Sequence, residues 1–241
     1  MIKQDKIIGL LKFGLRSHME ELLHDGHLFM SPLSTFINME EDHLRADRDE
    51  AVDYSMPVDG AELSIKHNDE WIPIGGLTGA LRYTGPERVK ANVFCMHSIL
   101  ASRCASYPEQ LIDSRNFGFG DTFVIFTDAD EFLRRVQVEA SRRNLNFLNA
   151  AVEYVDPNSY AGEMGIFRKF SKFHYQCEYR FAIQPGTTAP YSLHIGSIVD
   201  IARMGNLSDI DKSLRALPPH TLLVSDELKI APQHGCSRET G

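Results

Sequence analysis

An α+β fold of mostly antiparallel, strongly twisted sheets with a few short helices is what this 241-residue sequence predicts, and three observations carry it. The run Phe170–Pro185 alternates strictly: Tyr175, Cys177, Tyr179, Phe181 and Ile183 fall on one side of an extended chain, and Gln176, Glu178, Arg180 and Gln184 on the other, as the two-residue period of a strand requires. Short strand-like runs recur along the chain, and two of them, Glu62–His67 and Glu70–Ile74, are separated only by Asn68-Asp69, as in a tight hairpin. Helical periodicity with recognisable ends is confined to a few short segments, so strands predominate.

Taken in order, Ile7–Phe13 reads as a first strand carrying Lys12 near its end. Ser17–Gly26 reads as a short helix, with Ser17 at the N-cap, Glu20 three residues on, apolar Met19, Leu22 and Leu23, and a terminating glycine. His27–Phe36 begins as a strand and is cut by Pro32, which cannot donate to a ladder, so Ser31, Ser34 and Thr35 lie at a strand end. Residues 38–50 are dense in charge and read mainly as a solvated helix or loop. Arg45 and Arg48 in that segment are suited to bidentate recognition of phosphate if they reach a cleft mouth. Ala51–Tyr83 forms short strands, with the glycines that follow Ile74 acting as turn residues rather than a phosphate loop.

Ala91–His97 is a buried strand whose terminal histidine reads as a hydrogen-bonded core residue. Ser102–Gly120 reads as an irregular loop able to cover a ligand. Thr122–Phe126 is a strand, and Asp128–Arg143 a helix with acids in its first turn and arginines in its last, matching the helix dipole. Its Arg134, Arg135, Arg142 and Arg143 are the most basic surface candidate, although a solvated helix face explains them as well. Ala150–Asp156 is a strand, and Gly165–Phe173 a short helical turn delivering Arg168, Lys169 and Lys172 just before Gln176 and Glu178. Tyr191–Ile195, Ile198–Ile201 and Thr221–Val224 read as strands, and Ser208–Leu217 as a helix. Residues 1–230 are expected to form one domain and 231–241 a disordered tail.

Composition narrows the function classes. A formal net charge of −8 argues against blanket electrostatic binding of nucleic acid. No apolar run approaches a membrane span, and the start Met-Ile-Lys-Gln-Asp-Lys lacks a signal-peptide layout, so a cytoplasmic protein is expected. Cys95, Cys104, Cys177 and Cys236 show no Cys-x-x-Cys spacing; reduced thiols are expected, with Cys95 and Cys177 as small buried hydrophobes. Asp47, Asp49 and Glu50 hold the right atoms for a hard cation, but at no recognised spacing. Gln176 and Glu178, two apart on one strand face, project either into solvent or into a ligand cleft.

The opening strand–helix–Gly–strand unit, Leu10–Phe13 through His18–Gly26 to Leu28–Ser31, together with Gln176-Cys177-Glu178 entering Tyr179–Ile183, resembles the ADP-ribosyltransferase superfamily. The Gln-x-Glu pair looks like the motif of toxin-type members, and Ser34-Thr35 is similar to part of their Ser-Thr-Ser strand. The opening unit looks more like the DarT-type toxins that modify nucleic acid, whose Arg downstream of that unit would match Arg48 or Arg45, and whose late Glu would match Glu178. The first strand offers Lys12 or Arg16 where members commonly place His or Arg.

The resemblance implies NAD as substrate, Glu178 and Gln176 as catalytic residues, and Arg48, Arg45, Lys12, Ser31 and Ser34 as the residues that hold NAD. Glu178 would stabilise an oxocarbenium-like ribose and Gln176 would orient the acceptor, a protein or a nucleic acid. With water as acceptor the activity is that of an NAD glycohydrolase. There is also a likeness to bacterial proteins of mobile elements and defence loci, which implies a toxin or an anti-phage effector. Against it stands a non-enzymatic binding module in which Gln176, Glu178 and Arg180 form a partner surface.

Overall fold

A computed structural model describes residues 7–37, 39, 46–50, 52–84, 90–102 and 111–215. Arg45, Cys104, Cys236, the strand expected at Thr221–Val224 and the tail from residue 231 lie outside the described residues. The chain is α+β, and among the described residues its ladders are antiparallel apart from one short parallel pair. Its strands are β1 (Ile7–Gly14), β2 (His27–Pro32), β3 (Tyr54–Pro57), β4 (Glu62–His67), β5 (Glu70–Gly76), β6 (Ala80–Tyr83), β7 (Asn92–Leu100), β8 (Thr122–Phe126), β9 (Phe147–Ala151), β10 (Glu153–Val155), β11 (Gly162–Glu163), β12 (Arg168–Phe170), β13 (Glu178–Ile183), β14 (Tyr191–His194) and β15 (Ala202–Asn206). Helices that lie wholly among the described residues are α1 (Arg16–Asp25), α2 (Leu33–Ile37), α3 (Ala129–Arg142) and α4 (Ile210–Arg215).

β7 is the axis of the main sheet. Along one edge it pairs with β13 from Asn92 to His97, and β9 lies outside β13. The opposite edge is shared. β2 holds its beginning, Ser31 opposite Val93, and β1 holds its end, Leu11 opposite His97. Outside β2 comes β14, and outside β1 come β8 and β15. Among the described residues no strand pairs with Phe94–Met96 on that shared edge, so the sheet splits there.

Two apolar layers fix this arrangement. On one face α1 and α3 bury Met19, Leu22, Phe132 and Val136 against Leu10, Phe94, Phe126 and Phe181. The rings of Phe126 and Phe132 stack at 4.0 Å. Each such side chain contributes about 1.5–3 kcal/mol on burial. On the other face α4 packs Ile210 and Leu214 against Leu11, Phe13, Phe123 and Ile125. α3 presents Phe132, Val136 and Ala140 at four-residue spacing to the sheet, and its Asp128 cap accepts a hydrogen bond from the Glu131 N–H at 2.9 Å. α1 begins at Arg16, not at a Ser17 cap: Leu15 occupies the cap position with no side-chain bond, and Gly26 ends the helix at φ 59°. A Cβ at Gly26 would meet the Gly196 carbonyl oxygen at 2.0 Å, so both conformation and space require glycine there.

Several expectations change. The alternating run does not form one strand: Ser171–Gln176 is a 3-10 turn, Cys177 takes a left-handed φ of 43°, and β13 starts at Glu178. Phe170, Phe173 and Gln176 recur every three residues, which is the 3-10 period, so this stretch satisfied both patterns. The helical turn expected at Gly165–Phe173 is instead β12 followed by that 3-10 turn. Ala150–Asp156 is divided at Val152 between β9 and β10, and Ile198–Ile201 is a turn that precedes β15. The hairpin at Asn68-Asp69 forms, both residues having positive φ (49° and 65°).

Candidate functional site

The register places Leu11, His97 and Glu178 in one row across β1, β7 and β13. Glu178 stands at the first position of its strand, immediately after the Cys177 kink, and its own N–H donates to the Tyr154 hydroxyl oxygen at 2.9 Å. Its Oε1 accepts from Lys169 Nζ at 2.9 Å and its Oε2 from Arg180 Nε at 2.7 Å. Arg180 then spans to Glu50 through both terminal nitrogens, at 2.7 and 3.0 Å, and to the Ile166 carbonyl at 2.6 Å. Lys169 also donates to Gln176 Oε1 at 2.9 Å and lies 3.6 Å from Glu50 and 3.9 Å from Asp47.

All five ionic side chains are withdrawn from water, with Arg180 at 1% exposure and Glu178, at 9%, the most open. Isolated charges in such a place would cost several kcal/mol each, so opposite signs must meet. Burial works to raise the pKa of Glu178, but the Arg180 charge and then Lys169 outweigh it and hold the carboxyl well below its usual range. Burial likewise opposes the Lys169 ammonium, and Glu178 and Glu50 overcome it. For Asp47 burial wins over Lys169, and its pKa rises to about 6.

A cavity of about 710 Å³ lies at the split in the sheet. Glu178, Gln176, Lys169, Arg180 and Glu50 form its charged end; Met19, Leu22, Phe29, Phe36, Phe94 and Phe119 are among its apolar walls. Lys12 reaches into the split from β1, donating from Nζ to the Cys95 carbonyl at 2.6 Å and sitting 4.7 Å from the Phe94 ring centre. His97 donates from Nδ1 to the Gln176 carbonyl at 2.8 Å, which can only accept, so the proton is assigned to Nδ1. Cys95 also lines the cavity and is half-buried; burial pushes its thiol up to about 12, away from nucleophilic use.

Of the residues singled out from sequence, Glu178, Gln176, Lys12 and Ser31 line this cavity. Arg48 does not: it is exposed and absent from the lining, as is Ser34 on α2. Arg45 lies outside the described residues. Positive charge therefore reaches Glu178 from Lys169 and Arg180, and residues 47–50 bring the buried carboxylates Asp47 and Glu50 instead of a cation. That charged segment is not simply solvated. Asp47 and Glu50 face Lys169 and Arg180, and Asp49 pairs with Arg82 at 2.9 Å and Lys172 at 3.5 Å. Among the described residues, no group of three or more His, Cys, Asp or Glu comes together to hold a metal ion.

The sequence brought Lys169 close to Gln176 and Glu178 without separating it from Arg168 and Lys172, and it gave Glu50 no part beside Glu178; Arg180, two residues beyond Glu178 on the same strand face, was the other local signal. The arginines of α3 are bound in pairs to Glu131 and Glu139, with Arg135 also held by Asp200, so that surface is a neutralised one. No helix among the described residues is long and apolar enough to cross a membrane. No protein-family model matches the chain, and comparison with curated proteins and with solved structures gives no match either.

Proposed function

We propose that this chain cleaves the nicotinamide–ribose bond of NAD, as an ADP-ribosyltransferase-like enzyme when an acceptor is present and as an NAD glycohydrolase when water takes that place. The observation that carries the reading is an ionised carboxylate, Glu178, fixed by two cations at the wall of a cavity whose roughly 710 Å³ is in the range of small-molecule sites. A carboxyl held that far below its usual range is a poor proton donor and a poor base. It is suited to stabilising positive charge that develops nearby.

In the proposed reaction the C1′–N bond breaks with its electron pair going to nicotinamide, which leaves neutral. The ribosyl cation forms against Glu178, and the acceptor or water then bonds to C1′ and gives up its proton to solvent. Lys12, which lines the cavity as Arg48 does not, supplies charge for a phosphate oxygen. Phe94 and Phe119 offer flat apolar surface for a base. In a bacterial host such chemistry would deplete NAD, the action of a toxin or anti-phage effector.

The test is nicotinamide release from NAD by the wild type and by Glu178→Gln. Both Glu178→Gln and Glu178→Ala remove the charge, but alanine is the poorer choice because it also leaves a void and no acceptor for Lys169 or Arg180. The glutamine variant keeps the shape, and circular dichroism checks that it is folded. A loss of about 100-fold or more is expected; equal rates in two folded proteins would end the assignment.

A second reading, a binding module without chemistry, draws on the fact that both Glu178 oxygens are already engaged by the chain's own cations. It predicts no nicotinamide release and no rise in melting temperature at saturating NAD, whereas a ligand of the folded state must raise it.

A further inference from the structure

Residues 54–83 form an arm that leaves the main body: β3 pairs with β6, and beyond them β4 and β5 make a separate two-stranded sheet. A lone hairpin is marginal by itself. This one is exposed over nearly its whole length, with Leu63 45%, Ile65 51% and Trp71 69% exposed.

Its two outer edges differ. In a two-residue hairpin the flanking pair, here His67 and Glu70, exchanges hydrogen bonds. Bonded and non-bonded pairs then alternate, so Ser64–Pro73 is a non-bonded pair. Pro73, which has no N–H to give, sits where its nitrogen points away from β4, and it blunts the outer edge of β5. On β4 the same alternation turns the N–H and C=O groups of Glu62, Ser64 and Lys66 outward. The bulge residue, Ile74, belongs to β5, so β4 itself stays regular. Among the described residues no strand pairs with that outer edge. β4 contains neither proline nor glycine and is an open template for another strand.

We propose that the occupant of this edge is β4 of a second copy of the chain, added antiparallel about a two-fold axis at Ser64. Only outward residues can exchange hydrogen bonds with outward residues, so Glu62, Ser64 and Lys66 must pair among themselves. The same parity brings like faces together. Centred on Ser64, the register sets Glu62 against Lys66 of the second copy, Leu63 against Ile65, and Ser64 against itself. Both ends become opposite-charge pairs and the middle an aliphatic one, each favourable across antiparallel strands. Shifting by two residues in either direction breaks the Glu62–Lys66 matches. Lys66 turns from its exposed contact with Asp69, 2.9 Å in the free hairpin, which is weak in water.

The experiment uses the full chain at physiological ionic strength, where the repulsion of two copies at net charge −8 is screened. Sedimentation equilibrium is expected to show a concentration-dependent dimer. Trp71, the chain's only tryptophan and the cross-strand partner of Lys66, is expected to shift its emission over the same concentrations. Glu62→Lys alone and Lys66→Glu alone place like charges opposite each other, and each weakens association by about tenfold. The double variant restores it. Mixing the two single variants restores it too, because their opposed strands then carry only attractive pairs. Ser64→Pro, which removes the N–H at the axis, abolishes the dimer. A chain that stays monomeric up to about 1 mM, or a dimer indifferent to the charge exchange, overturns the proposal.

Discussion

The cluster around Glu178 and the arm of residues 54–83 invert the usual distribution of side chains in opposite ways. One buries five ionic groups; the other leaves leucine, isoleucine and tryptophan in water. The cluster is over-determined, each charge held by at least one partner across distant parts of the chain. Among the described residues the arm is tied down only at its base, where β11 pairs with β3 and Arg82 reaches Asp49 and the Phe170 ring; its β4–β5 tip is held by its own ladder. A buried ion pair is retained at a desolvation cost that an apolar core would not incur, so the cluster points to a use for fixed charge. Exposed aliphatics on an open edge point to a use for association.

The contrast is broken most strongly at Arg180. Arg180→Ala leaves Glu50 and part of Glu178 uncompensated in a buried place and is expected to cost about 3–5 kcal/mol, read as a lower denaturation midpoint in urea. A loss below about 1 kcal/mol would place the cluster among ordinary surface ion pairs.

Asp47 gives a smaller, pH-dependent effect. Its folded pKa of about 6 lies above the 3.8 of an unperturbed aspartate. The folded state therefore binds the proton more tightly than the unfolded chain. The stability this provides is full below pH 3.8 and is lost as pH rises through 6. Glu178 works oppositely, its contribution being lost as pH falls below 4.5, so the interval from about pH 4.5 to 6 belongs to Asp47. Asp47→Asn, which stays neutral, is expected to become progressively more stable than the wild type across that interval, by roughly 2–3 kcal/mol at the upper limit. Thermal melts at several pH values check it; a constant difference would contradict the raised pKa.

At the other extreme, Trp71→Ala in dilute protein is expected to change stability by no more than about 0.5 kcal/mol, although tryptophan is the largest side chain in the protein. A larger loss would show that the arm packs on the main body.

What the sequence made legible was local. β8, α3, the stop at Gly26 and the turn at Asn68-Asp69 depend on neighbours within a few residues, and each lies where periodicity and turn chemistry put it, to within a residue. Glu178 and Gln176 were legible as polar residues beside an apolar strand face, and Lys12 as a charge inside an apolar run. The rest depends on distance. Glu50 and Arg180 are 130 positions apart, and no local pattern joins them: Arg180 sits in an apolar strand and Glu50 at the end of a charged run. Lys169 was concealed similarly between Arg168 and Lys172, which stay nearer water. The kink at Cys177 was hidden because the alternation of residues 175–184 runs across it without a break.

The gap along β7 has a consequence for how the cavity tolerates change. Its inner surface at residue 95 is peptide, a carbonyl clasped by Lys12, and a peptide is common to all twenty amino acids. Cys95 can drift to alanine or serine with that contact preserved, whereas an insertion or deletion that slides β1 or β2 along β7 closes the opening or moves the lysine out of reach. Indels there, more than substitutions, are what this pocket cannot survive.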